Sequence, residues 1–143
     1  MTASRITADE FREVLRAGMP SSAARPFEVI TLERGLVVLR FVTGPDDVRP
    51  GETVAGTVLF ALADLTMYAA ALSTVGNVPL AVTTDATIHF LRRPRAGALV
   101  VRAAVLKEGK RLVVGDVHVA HEGEEDAPVA HAVMSYSVPP GAG

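Results

Sequence analysis

Between Thr53 and Thr84 the chain carries one formally charged side chain, Asp64. A carboxylate in an apolar stretch is costly to bury without a partner. Such a group is either hydrogen-bonded for structure or retained for chemistry, because ionisable groups in apolar surroundings concentrate at reactive sites. As a general base it can activate water against a carbonyl carbon, and as a nucleophile it can attack that carbon itself. Either route needs donors for the oxyanion that develops. Gly56, Thr57 and Val58 precede Asp64 by two turns. If a helix starts there, their backbone N–H groups supply such donors, since a helix N-terminus presents unpaired amides and the positive end of its dipole.

The element that must hold these groups is legible. Thr57 to Val75 is rich in Ala and Leu and free of Pro and Gly, with Gly56 before it and Gly76-Asn77 after it. This predicts a helix over about 57–75, roughly 28 Å long. It is apolar almost all round, so the rest of the chain must wrap it. Phe60 and Ala61 lie one turn before Asp64 and Tyr68 one turn beyond it. Tyr68 can line an acyl-sized pocket, bond the carboxylate, or be a core tyrosine with a satisfied hydroxyl. The run is nearly long enough to cross a membrane. Asp64, Thr66, Tyr68, Ser73 and Thr74 within it, and the lack of a flanking Lys/Arg asymmetry, argue against that.

Around this helix, Thr7-Ala8-Asp9-Glu10 forms a capping box for an N-terminal helix over about 7–18, ended by Gly18-Met19-Pro20. Phe27 to Val42 reads as strand with a turn near Glu33-Arg34-Gly35, and Thr43 to Glu52 as a loop into the central helix. Four strands follow, at about 79–91, 98–106, 111–121 and 129–138, joined by short turns that imply antiparallel pairing. In the first of them, period-2 alternation puts Val82, Thr84, Ala86, Ile88 and Phe90 on one face and Thr83 and Asp85 on the other. One apolar helix and about five antiparallel strands give an α+β fold in a single domain, 1–143, with the sheet curled around the helix.

Composition narrows the function classes. The 143 residues are 49% hydrophobic and 21% charged, with a net charge of −2 and no cysteine. That is a globular chain without disulfides or thiolate chemistry, and without the charge that draws nucleic acid or an anionic membrane. No apolar run marks a signal peptide in the first 20 residues, so a cytoplasmic location is expected. Arg92, Arg93 and Arg95 in one turn, and Lys107, Lys110 and Arg111 in another, can bind phosphates or stand as solvated turn charges. His89, His118, His121 and His131 fall on strands; His118 and His121, three apart, face opposite ways, so no metal site is expected. There is no G-x-S-x-G elbow, P-loop or dinucleotide fingerprint, and no cofactor is expected.

Val58-Leu59-Phe60-Ala61-Leu62-Ala63-Asp64, then Thr83 to Pro94 (TTDATIHFLRRP) and Gly109 to Val119 (GKRLVVGDVHV), resemble the hotdog-fold thioesterases of the phenylacetic-acid-degradation type over roughly Arg49 to Val138. The resemblance implies a sheet wrapped around a helix, hydrolysis of acyl-CoA or a related acyl thioester, and an active site at the interface of a homodimer or dimer of dimers. It makes Asp64 the acidic catalytic position and Gly56 and Thr57 the carbonyl-polarising turn, and beside it Arg49, Val58, Phe60, Tyr68, Thr83, Asp85, Arg92, Arg93 and Arg95 are the expected substrate-binding set, with Thr83 and Asp85 either reaching the site from the partner copy or forming an outward polar face. Members of the family usually carry Asn-Pro and then His-Gly-Gly at the helix start. Here Arg49-Pro50 and Ala55-Gly56-Thr57 stand in those places. The replacements favour one rival expectation, a non-catalytic acyl-thioester binding protein; a second, a hydratase or dehydratase on the same fold, normally wants a His paired with the acid, and Ala55 removes the obvious candidate.

Overall fold

The computed structural model describes residues 3–23 and 25–140. Thr7 caps helix α1 (Ala8–Gly18) through the expected box: its Oγ1 accepts from Glu10 N at 3.1 Å, and its N–H donates to Glu10 Oε1 at 2.9 Å. Phe11, Val14 and Leu15, at helical spacing, are the residues α1 buries. After a single turn, α2 (Pro20–Ala23), the chain forms β1 (Glu28–Glu33) and β2 (Leu36–Val42). Gly35, at φ 81°, makes the turn between them. That turn divides the 27–42 run into two strands, so the main sheet has six strands rather than about five.

The stretch expected to be a plain loop holds a short 3-10 turn (Pro45–Asp47) and a two-residue pair, β3 (Val48–Arg49) with β4 (Thr53–Val54). Asp47 ties it down. Its carboxylate receives both Arg25 guanidinium nitrogens, at 3.0 and 3.1 Å, and Gly44 N at 2.8 Å, while its carbonyl accepts from Ala55 N at 2.9 Å. The hydrogen bonds from Arg25 hold the Asp47 carboxyl below the usual carboxylate range. This anchoring fixes the approach to α3 (Gly56–Val75), which begins one residue earlier than the sequence suggests and ends at Gly76, φ 95°.

The remaining strands are β5 (Val82–Phe90), β6 (Ala98–Glu108), β7 (Leu112–His121) and β8 (Ala130–Ser137). All pairs are antiparallel, in the order β1-β2-β6-β7-β8-β5. The sheet curls around α3, and residues 65–74 of the helix are all buried. By length and composition α3 could cross a membrane, but most of its apolar surface is spent on this core. Gly115 permits the close approach: a Cβ there would fall 2.7 Å from the Met67 thioether and 2.8 Å from Ala104 O. The N-terminal half of α3 is different. Thr57, Phe60 and Ala61 are exposed and Asp64 half-buried, so one stripe of the helix faces out beside the edge strand β5.

Candidate active site

Asp64 is held from two strands. Its Oδ1 accepts from Tyr136 Oη at 2.7 Å on β8 and from Thr83 Oγ1 at 2.8 Å on β5. The tyrosine hydroxyl also lies 3.1 Å from the Asp64 carbonyl oxygen. Among the described residues Oδ2 has no hydrogen-bond partner, so one carboxylate oxygen is fixed and the other is open to a water or a substrate. Burial, reinforced by the neighbouring Asp64 charge, raises the Tyr136 hydroxyl far above the usual tyrosine range. It therefore remains a proton donor to the carboxylate at neutral pH. Tyr136 is the residue that sequence reasoning missed. It shares the inward face of β8 with Ala132 and Met134, and that periodicity was the one available signal.

Tyr68 does not bond the carboxylate. Its hydroxyl donates to Pro79 O at 2.8 Å, and its ring stacks on Tyr136 with centroids 5.5 Å apart and planes at 14°. Burial raises its hydroxyl too. Tyr68 nevertheless lines, with Asp64, Thr83, Tyr136, Val82 and Met19, a cavity of about 400 Å³.

Thr83 reaches Asp64 within the same chain, and Asp85 does not share its face. Thr83 pairs with Tyr136 but Asp85 pairs with Ser135, so Thr84 is an extra residue, a β-bulge. The bulge breaks the alternation expected from the sequence. Thr83 points inward with Ala86 and Ile88, whereas Asp85 lies on the outer face and away from the carboxylate.

The start of α3 forms a second site. Arg49, Ala55, Gly56, Thr57, Phe60 and Phe90 line a cavity of about 610 Å³. The N–H groups of Gly56 and Thr57 have no protein acceptor among the described residues. Val58 N does, donating to Ala55 O at 3.0 Å, and its side chain packs against the core. Val58 therefore contributes neither a donor nor lining. Phe90, at the end of β5, covers the helix start: a Cβ on Gly56 would lie 3.3 Å from its ring.

The arginines of the 92–95 turn are exposed but engaged. Arg92 donates to Pro128 O at 2.8 Å, Arg93 to Gly51 O at 3.1 Å, and Arg95 pairs with Glu124 at 2.6 Å. Arg95 N also donates to Nε2 of the buried His121 at 2.9 Å. None of the three lines either cavity, although Arg93 stands against the turn that carries Arg49.

The two cavities lie at the two ends of one helix face. Eight residues separate Gly56 from Asp64, so about 12 Å of rigid helix separates the free amides from the carboxylate. One carbonyl group cannot touch both within a single chain.

A family model described as the Thioesterase superfamily matches residues 51–127, which include Asp64, Thr83 and the start of α3 but neither Arg49 nor Tyr136. The chain belongs to this superfamily. Within it, a protein of Saccharolobus solfataricus provisionally named an esterase is 35% identical over 97 residues, 66% of this chain and 62% of its own length. The chain thus spans under two thirds of that relative. A crystal structure from Silicibacter sp. TM1040, provisionally named a thioesterase, is 37% identical, with a TM-score of 0.84 over 97% of this chain and 96% of its own. The hotdog fold is shared as well with the Escherichia coli PaaI protein of the phenylacetic acid degradation operon, at 23% identity and TM-score 0.76 over 94% of this chain and 97% of that one. A Streptococcus mutans protein solved with acetyl-CoA bound has 23% identity and TM-score 0.72, over 80% of this chain and 89% of its own.

Proposed function

We infer that this chain hydrolyses an acyl-CoA, or a related acyl thioester, in sites built from two copies. The observation that carries the reading is the doubly anchored Asp64 with its open Oδ2, facing a cavity large enough for an acyl group. Pairing of two copies resolves the 12 Å gap. β5 is the last strand of its sheet, hydrogen-bonded on one side, with Val82 and Phe90 exposed. Its beginning, Thr83, sits beside Asp64; its end, Phe90, sits beside Gly56. Antiparallel pairing of β5 with the β5 of a second copy sets the beginning of one strand against the end of the other. The carboxylate of one chain would then oppose the free amides of its partner. The superfamily and the acetyl-CoA found in a structural neighbour support the substrate class.

In this reading the thioester carbonyl oxygen lies against the Gly56 and Thr57 N–H groups of one chain. Asp64 Oδ2 of the other takes a proton from water, whose oxygen attacks the carbonyl carbon. Collapse of the tetrahedral intermediate breaks the C–S bond, and the thiolate recovers the proton from Asp64. Arg49, at the rim of the helix-start cavity, and Arg93, against its turn, would meet the coenzyme's phosphates. No cofactor enters the reaction, and a cytoplasmic location suits both coenzyme A and a cysteine-free chain.

Asp64→Asn keeps the shape and removes the base. We expect kcat on an acyl-CoA panel to fall by about 10²-fold or more with ligand affinity retained. Equal turnover by wild type and variant, with acyl-CoA still bound, would leave a binding protein instead. That second reading has its own support, since Arg49 and Ala55 stand where the family usually carries its Asn and His. The hydratase alternative lacks the histidine it needs: among the described residues none lines either cavity.

A further inference from the structure

The face of the sheet turned away from α3 carries a second cluster of chemistry. Asp116, His118 and His131 each offer a donor atom, and the three atoms lie within 4.8 Å of one another. His118 and His131 are direct cross-strand partners on β7 and β8, with ring centroids 4.6 Å apart. Asp116 is two residues from His118 on the same strand face, and its Oδ2 is 3.3 Å from His131 Nε2. All three are partly buried and held by a continuous ladder, whereas the alternate residues Val117 and Ala132 point into the core. The neighbours on the outer face are His89 of β5, in register with His131, and Arg102 of β6, in register with His118.

We propose that Asp116, His118 and His131 form a site for a divalent transition metal such as Zn²⁺. Two imidazoles and one carboxylate are the donor set of borderline ions, which bind nitrogen and oxygen at about 2.0–2.2 Å. Ligand atoms around such an ion stand roughly 3–3.5 Å apart, so the His131–Asp116 separation already fits and His118 needs only a small side-chain turn. His89 is placed to offer a fourth donor, and binding there would tie the edge strand β5 to β8. The exposed Arg102 works against a cation and must swing into solvent as the ion enters. The ion lies across the sheet from Asp64 and takes no part in thioester hydrolysis.

The test titrates the full-length protein, stripped with a chelator, with Co²⁺ followed by its visible absorption and by displacement with Zn²⁺. One ion per chain is expected, with a rise in melting temperature on adding Zn²⁺. His118→Asn and His131→Asn, both at partly exposed positions, should each weaken binding by about ten-fold or more, and Asp116→Asn should also weaken it. The double histidine variant should lose the thermal shift while keeping wild-type hydrolysis. Failure to bind one ion per chain, or unchanged affinity in the folded double variant, would overturn the site. Either result would leave Asp116 and His131 as a cross-strand hydrogen-bonded pair.

Discussion

Tyr136 and Asp64 are separated by 72 positions in sequence and by one short hydrogen bond in space. Removing that bond with Tyr136→Phe leaves the ring stacked on Tyr68 but leaves Thr83 as the single side-chain anchor of the carboxylate. The hydrogen bond is to a charged group, so we expect kcat to drop by roughly ten-fold or more with little change in KM. A loss of folding with unchanged kcat per folded chain would reduce Tyr136 to a core residue. His121 offers a pH readout. Burial first, and then the Arg95 guanidinium, push its imidazole below the usual histidine range. The unfolded chain therefore takes up that proton before the folded chain does, and stability declines as pH falls below about 6.5. His121→Gln, whose side-chain carbonyl can still accept from Arg95 N, should flatten melting temperature against pH over that interval. At this scale Asp64 was legible because it is the one charge in an apolar run. Tyr136 was not, because nothing local names the strand that would lie beside the carboxylate.

Among the elements, α3 and the capping box of α1 were readable because their signals are local: composition, caps and breakers within a few residues. The β5 bulge was not. A single extra residue, Thr84, moves Thr83 to the inner face and leaves Asp85 outside, and strict alternation cannot register it. The cross-strand cluster on β7 and β8 escaped for the same reason, since reading His118 against His121 looks along one strand and never across to His131. Helix and sheet also make a demand that composition hides. Gly115→Val would drive branched carbon into Met67 and the Ala104 carbonyl. Urea denaturation should show a loss of about 1–3 kcal/mol, the usual cost of overpacking. Unchanged stability would mean that α3 can lift from β7 without penalty.

At the scale of the whole molecule, two defective chains should repair one another if each site draws on two copies. Asp64→Asn removes the carboxylate half, and Gly56→Val, whose side chain meets Phe90, obstructs the amide half. Mixed after unfolding and refolding in equal amounts, half of the pairs would be heterodimers, each with one intact site. About a quarter of wild-type activity should return. No recovery, with heterodimers present by mass, would sink the shared site. A further consequence belongs to the helix that spaces the halves. Its rise between Gly56 and Asp64 is set by backbone hydrogen bonds, so no loop closure or side-chain motion in a solitary chain can shorten it. At dilutions where pairs come apart, initial velocity would then climb with the square of chain concentration, and the reaction would be second order in its own catalyst.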